Sequence, residues 1–323
     1  VIGELVLAPG EQAMASEDGS VHLLWSPDAG HPNVSNFRFY RTENPEPEWE
    51  ATAAGEPVVL APDGSFFVLA APDPEFDGFD RLITDEGGSV QIVGAQGDVR
   101  GELPFHPTYV VLTSDAKRVA LLHLEELVVL GSDGRLDWNV PVPVDALIRR
   151  EGRSQLEAGG GYIVVCGTGE RAGTGTFRAE RRGTIRAFRD DGTPAWSVDQ
   201  PDDEPLWFQL SASLSPDGST LATFHSDSRE IVVQAWDMPT GRRLWRRTTP
   251  RRTGGRCLSV ARRGELVVLT HGDFRTLVVA WDREGTVVWE GVLPFDSRTS
   301  RVGDHHLLSS AHWIVRLDPE WPQ

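Results

Sequence analysis

The stretch LSPDGSTLATFHSDSREIVVQAWDMPTGRRLWRR, residues 214–247, decides the fold. It alternates apolar runs with turn-forming clusters: strand, tight SPDGS turn, strand, polar loop, strand, PTG turn, strand. A four-stranded unit of this size has an apolar face that it cannot bury alone, so the chain should contain others like it.

It does. ASEDGSVHLLWS (15–26), LAPDGSFFVLAA (60–71), LTSDAKRVALLH (112–123) and VARRGELVVLTH (260–271) share the plan of LSPDGSTLATFH (214–225). LEAGGGYIVVCG (156–167) and RVGDHHLLSSAH (301–312) follow it more loosely. The turn residues Gly19, Gly64, Ala116, Gly160, Gly218, Gly264 and Gly303 are then spaced by 45, 52, 44, 58, 46 and 39 residues. Four-stranded propeller blades repeat at about 40–50 residues.

The second half of the unit repeats as well. Each copy is a strand, an Asp/Gly/Asn/Pro turn and a strand bearing Trp49, Trp138, Trp196, Trp245 or Trp289. A tryptophan there can lie across the neighbouring blade and dock its N–H. On these motifs, AWDMPTGRRLW above all, the chain resembles the tryptophan-docking β-propellers of the WD40/PQQ-like repeat superfamily. The Gly-His dipeptide of WD40 repeats is absent from its inter-blade loops, and the adjacent cysteine pair of PQQ-dependent dehydrogenases is absent too. The resemblance therefore implies the fold and not quinone chemistry.

The expected architecture is all-β: one seven-bladed β-propeller over residues 1–323, built of four-stranded antiparallel blades. Blades fall at about 9–54, 55–105, 106–143, 152–200, 206–250, 254–295 and 298–323. Only 20 residues follow Gly303, which suffices for two more strands, while VIGELVLA at 1–8 is needed by no other unit. That N-terminal strand should close the last blade. Eight blades would follow if the irregular stretch 71–101 held the strands of an additional one.

Charge divides along the chain. Residues 1–147 carry 25 Asp and Glu against 7 Lys and Arg, a net of −18; residues 148–323 carry 23 against 24, a net of +1. An overall charge of −17 argues against general binding to nucleic acid, which needs a dominant basic surface. Lys117 is the only lysine, and the preference for arginine reads as a high-GC, bacterial base composition. No apolar run approaches the roughly 18 residues of a membrane span. Cys166 and Cys257 lie far apart, with neither a metal-type nor a disulfide-framework spacing, which suits a reducing, cytoplasmic setting.

In a propeller, the loops joining second to third strands and those joining successive blades emerge at one end. Arginine concentrates in those loops, and Arg171, Arg181, Arg182, Arg247, Arg251, Arg252 and Arg256 are expected on one sector of that end. Loops on a rigid scaffold commonly carry binding residues, and arginine offers forked donors for carboxylates. The reading is a non-catalytic scaffold that binds a protein or peptide partner with an acidic or mixed-charge surface, without a cofactor, a nucleic acid or a membrane. The competing reading is a hydrolase or lyase with a funnel site, divalent-metal dependent, using His123, His225 and His271. A third is a carbohydrate-binding propeller, with Trp207 and Trp313 as the tryptophans not assigned to docking. The three histidines each lie seven residues past their turn anchor. Metal ligands must lie about 2 Å from one point, and second strands of separated blades do not meet, so a structural role for each histidine is the stronger expectation. No catalytic residue is assigned: the chain holds no GxSxG, HExxH or phosphate-loop motif.

Overall fold

The computed structural model describes residues 11–16, 19–28, 30–44, 46–71, 75–76, 82–84, 88–105, 107–123, 126–142, 154–170, 181–201, 208–226, 230–250, 256–261, 263–271, 275–294, 298–302, 305–310 and 313–317. The chain divides into two compact units, Val1–Val140 and Pro141–Gln323.

The first unit holds three four-stranded antiparallel sheets. The first comprises β1 (Gln12–Ala15), β2 (Val21–Asp28), β3 (His31–Arg41) and β4 (Trp49–Ala54). In the second, β5 (Glu56–Leu60) and β6 (Phe66–Ala71) are joined to β9 (Ser89–Gly94) and β10 (Val99–Leu103). Between them lies a short ribbon of β7 (Glu75–Phe76) and β8 (Leu82–Thr84), whose strands, among the described residues, pair only with each other. These are the extra strands of the irregular 71–101 stretch. They extend a connection and do not start another blade. The third sheet is β11 (Tyr109–Leu112), β12 (Arg118–His123), β13 (Glu126–Gly131) and β14 (Leu136–Pro141).

The second unit continues the pattern with β15 (Ser154–Gly159), β16 (Tyr162–Glu170), β17 (Arg181–Arg189) and β18 (Pro194–Asp199). Then come β19 (Phe208–Leu214), β20 (Thr220–Ser226), β21 (Glu230–Asp237) and β22 (Arg242–Pro250). The next sheet is β23 (Arg256–Val260), β24 (Leu266–His271), β25 (Arg275–Asp282) and β26 (Val287–Pro294). The last, β27 (Arg298–Val302), β28 (His305–Ser310) and β29 (Trp313–Leu317), has three strands among the described residues. Residues 1–8, expected as its fourth, lie outside them.

The repeated turn is a conformational device. Six of the seven anchor positions adopt left-handed backbone: Gly19, Gly64, Gly160, Gly218 and Gly264, with φ between 53° and 69°, and Ala116 at 54°. Gly303 lies outside the described residues. Ala116 is the one non-glycine with positive φ among those described, so the turn is kept even where a side chain makes it costly. A polar clasp helps to hold it. The Thr113 hydroxyl donates to Asp115 Oδ1 at 2.7 Å, and the Lys117 N–H donates to the same oxygen at 3.1 Å. Around Gly218, the Ser215 hydroxyl and the Ser219 N–H reach Asp217 Oδ1 at 2.8 and 2.9 Å. Burial pushes the Asp217 carboxyl up, but the bonds from Ser219 and Ser215 and the charge of Arg283 outweigh it and hold the group below the usual carboxylate range.

The core lies between sheets. Phe224, Ile231, Val233 and Trp245 of one sheet pack on Leu258, Val267, Leu269, Val279 and Trp281 of the next. Cys166, Val164 and Ile185 pack on Leu210, Leu214, Leu221 and Trp236. In the first unit, Leu23, Phe37 and Phe39 meet Phe67, Leu69 and Val93.

Candidate functional site

Three of the five fourth-strand tryptophans, Trp49, Trp196 and Trp245, bind neighbouring sheets together. Trp49 Nε1 donates to the Ala95 carbonyl at 2.6 Å, Trp196 to Met238 at 2.6 Å, and Trp245 to Arg283 at 3.1 Å. Each acceptor lies in the turn between the third and fourth strands of the following sheet, just before Gly97, Gly241 or Gly285. The indoles lie over these glycines, leaving no room at Gly241 or Gly285 for a Cβ, which would stand 2.7 and 2.6 Å from Trp196 and Trp245. These side chains are scaffold.

Antiparallel meanders place the first-to-second and third-to-fourth turns at one end of each sheet and the remaining connections at the other. The two ends differ in use. At the turn end, backbone meets backbone: a Cβ on Gly160 would come within 2.2 Å of the Asp217 main chain. The loop end carries the residues expected to act.

His123 and His271 are the last residues of β12 and β24, and His225 is next to last in β20. His123 stacks on Phe105, with ring centroids 4.2 Å apart and planes 20° from parallel. His225 is fully buried, opposite Val232 in the ladder, on the face of β20 that also carries Thr223. The hydroxyl of Thr223 accepts the Trp236 N–H at 3.0 Å. His271 pairs in register with Arg256, which brings one residue from each candidate set to the same rung. The Cys166 thiol is fully buried; that burial, together with the charge of Glu157, pushes its pKa far up and leaves it protonated. No group of three or more His, Cys, Asp or Glu side chains able to hold a metal occurs among the described residues.

Arg181 and Arg182 open β17 opposite Glu170 and Gly169, where β16 and β17 run on as a two-stranded extension of their sheet. Arg171, Arg251 and Arg252 lie outside the described residues, as does Trp207; Trp313 opens β29. Arg247 differs from its expected setting. Its Nε donates to the Gly285 carbonyl at 2.7 Å and its Nη1 to the Arg246 carbonyl at 3.0 Å. The guanidinium thus folds beside Trp245 toward the turn end of the next sheet. The sequence gives no sign of this, because the acceptor belongs to a residue 38 positions away.

No protein-family model and no curated protein sequence matches the chain. Solved structures do. A eukaryotic initiation factor aligns with a TM-score of 0.60 at 13% identity, covering 95% of this chain and 72% of that one. The hydrazine synthase of Kuenenia stuttgartiensis gives 0.55 at 14%, covering 98% and 99%. The Dos1 propeller gives 0.54 at 12%, covering 91% and 76%. At these identities the likeness concerns the fold alone, and together with the six four-stranded sheets it makes the chain a β-propeller protein.

Proposed function

We propose that the chain is a non-catalytic scaffold that binds a protein or peptide partner at the loop end of its sheets. The partner carries an acidic or mixed-charge surface. One observation carries the reading: acidic residues dominate before residue 148, while all but seven of the basic residues follow it, among them Arg149, Arg150, Arg153, Arg171, Arg178, Arg251 and Arg252 in the connections between second and third strands or between successive sheets. Like charges gathered on separate loops repel one another unless a partner of opposite sign relieves them. The acidic part would repel that same partner and so orient it. Further support comes from the chemistry that the described histidines and thiol do not offer: His225 and Cys166 are buried in packing, and His123 is stacked on an aromatic ring.

The ring proposed for this scaffold has seven blades, with residues 1–8 completing the sheet of β27–β29, and belongs with the WD40/PQQ-like tryptophan-docking propellers. The indole-to-turn hydrogen bonds of Trp49, Trp196 and Trp245 support the relationship.

Reversing Arg251 and Arg252 to Glu tests the function. The variant should fold as the parent does and lose the partner in a pull-down from native lysate, read by mass spectrometry at two salt concentrations. The parent complex should weaken with salt, as a screened contact does. Identical sets captured by both proteins would reject the loop-end reading.

A further inference from the structure

A second basic surface lies on the outside of the second unit, away from the loop end. β22 is the fourth strand of its sheet and pairs, among the described residues, only with β21, so its other edge is open. At nine residues it is the longest of the fourth strands described. Arg242, Arg243, Arg246 and Arg247 are all exposed on it, and it holds no Asp or Glu. The ladder register puts Arg243 and Arg246 on one face, opposite Trp236 and Gln234, and Arg242 and Arg247 on the other, opposite Asp237 and Val233.

Several arginines on other sheets are neutralised by neighbouring carboxylates. Arg100 meets Asp98 at 3.1 Å, Arg118 meets Asp137 at 2.8 Å, and Arg186 meets Asp199 at 2.7 Å. Among the described residues, Arg242, Arg246 and Arg247 have no carboxylate partner within ion-pair distance. Arg243 lies over the Trp236 ring, 5.9 Å from its centroid, and Arg247 is fastened to the Gly285 carbonyl. Asp237, across from Arg242 in the ladder, accepts the Thr240 hydroxyl.

We propose that the open edge of β22 takes up an extended acidic peptide as a fifth strand. Main-chain hydrogen bonds along an open edge give such a complex its affinity, and side chains facing the added strand give it selectivity. Carboxylates on both faces of the incoming segment would meet Arg246 on one side and Arg242 with the remaining donors of Arg247 on the other. Charge on an edge strand ordinarily blocks pairing with another copy of itself. Here the same arginines that repel a second β22 attract a strand of opposite sign. Arg242 and Arg246 are separate from the loop residues Arg251 and Arg252, so this surface stands or falls independently of the loop-end reading.

The probe is a fluorescein-labelled twelve-residue peptide alternating Glu with Val and Thr, titrated into the full chain and followed by anisotropy. Saturable binding is expected, with affinity at least tenfold lower in the R242E/R246E variant and a smaller loss in R242Q/R246Q, both melting as the parent does. N-methylation of alternate peptide amides should abolish binding, and hydrogen exchange of the β22 amides should slow in the complex. Failure to bind, equal binding by the N-methylated peptide, or indifference to both substitutions would each overturn strand addition. Tighter binding of inorganic polyphosphate than of the peptide would overturn the choice of occupant, and dimerisation of the chain through this strand would do so as well.

Discussion

A Cβ added to Gly285 would stand 2.6 Å from Cγ of Trp245, whose indole N–H is bonded to the Arg283 carbonyl two residues earlier in the same turn. Gly285 also needs a φ of 77°, a conformation that side chains disfavour. One small residue therefore carries both the turn and the contact between two sheets. Trp245→Ala should cost about 3–5 kcal/mol, as loss of a large buried side chain does. Gly285→Ala should cost about 2 kcal/mol or more, from left-handed strain and the displaced indole together. Denaturant melts of the two single variants and the double variant check this. The double variant should lose less than the sum, because both substitutions remove the same contact.

The leftover strand gives a second expectation. Deleting residues 1–8 should expose an edge of the β27–β29 sheet and sharply lower the melting temperature or solubility. A deletion variant that melts like the parent would leave the last sheet with three strands and end the closure scheme.

Acid sensitivity follows from the turn clasps. The Asp217 carboxyl is held below its ordinary value in the folded chain, so the unfolded chain binds its proton more readily. The stability it contributes is complete above the unfolded value of about 4 and disappears as pH falls through the lower, folded value. Asp115, held down against burial by the Thr113 hydroxyl and the Lys117 N–H, acts in the same direction. Asp217→Asn should therefore lower stability at neutral pH and flatten its decline between about pH 4 and 2. Melts of parent and variant across that range check it.

Thiol chemistry should separate folded from unfolded protein. Cys166 is fully buried and its thiol is pushed well above the ordinary range, so iodoacetamide at pH 8 should leave it unmodified in the native chain. The same reagent in denaturant should modify it completely. Peptide mapping reads the difference, and rapid native labelling at Cys166 would contradict the packing between β16 and β20.

Much of the fold was legible because its decisive residues are forced by backbone geometry. A tight turn needing positive φ selects Gly, or an Asp-clasped residue such as Ala116, and its recurrence marks the repeat even where flanking residues vary. The docking of Trp49, Trp196 and Trp245 was legible for a similar reason, since the fourth strand and its preceding turn recur together. The setting of Arg247 was not, because a flexible side chain takes its partner from the adjacent sheet. The β7–β8 ribbon was also hidden: two strands of two and three residues carry too little alternation to register. At the loop end, the sequence could place arginines by connection and not by direction. Arg256 and His271 shared no motif, and only the ladder register set them on one rung.

The two ends of the sheets also tolerate change differently. At the turn end, Gly160 and Gly218 press backbone to backbone across neighbouring sheets, so neither position admits a side chain. At the opposite end, the connection between second and third strands ranges from two residues, 124–125, to the seventeen of 72–88, with its ribbon of β7 and β8, while both sheets keep four strands. New loops can therefore be installed between the second and third strands of a sheet without reworking its joint with the next.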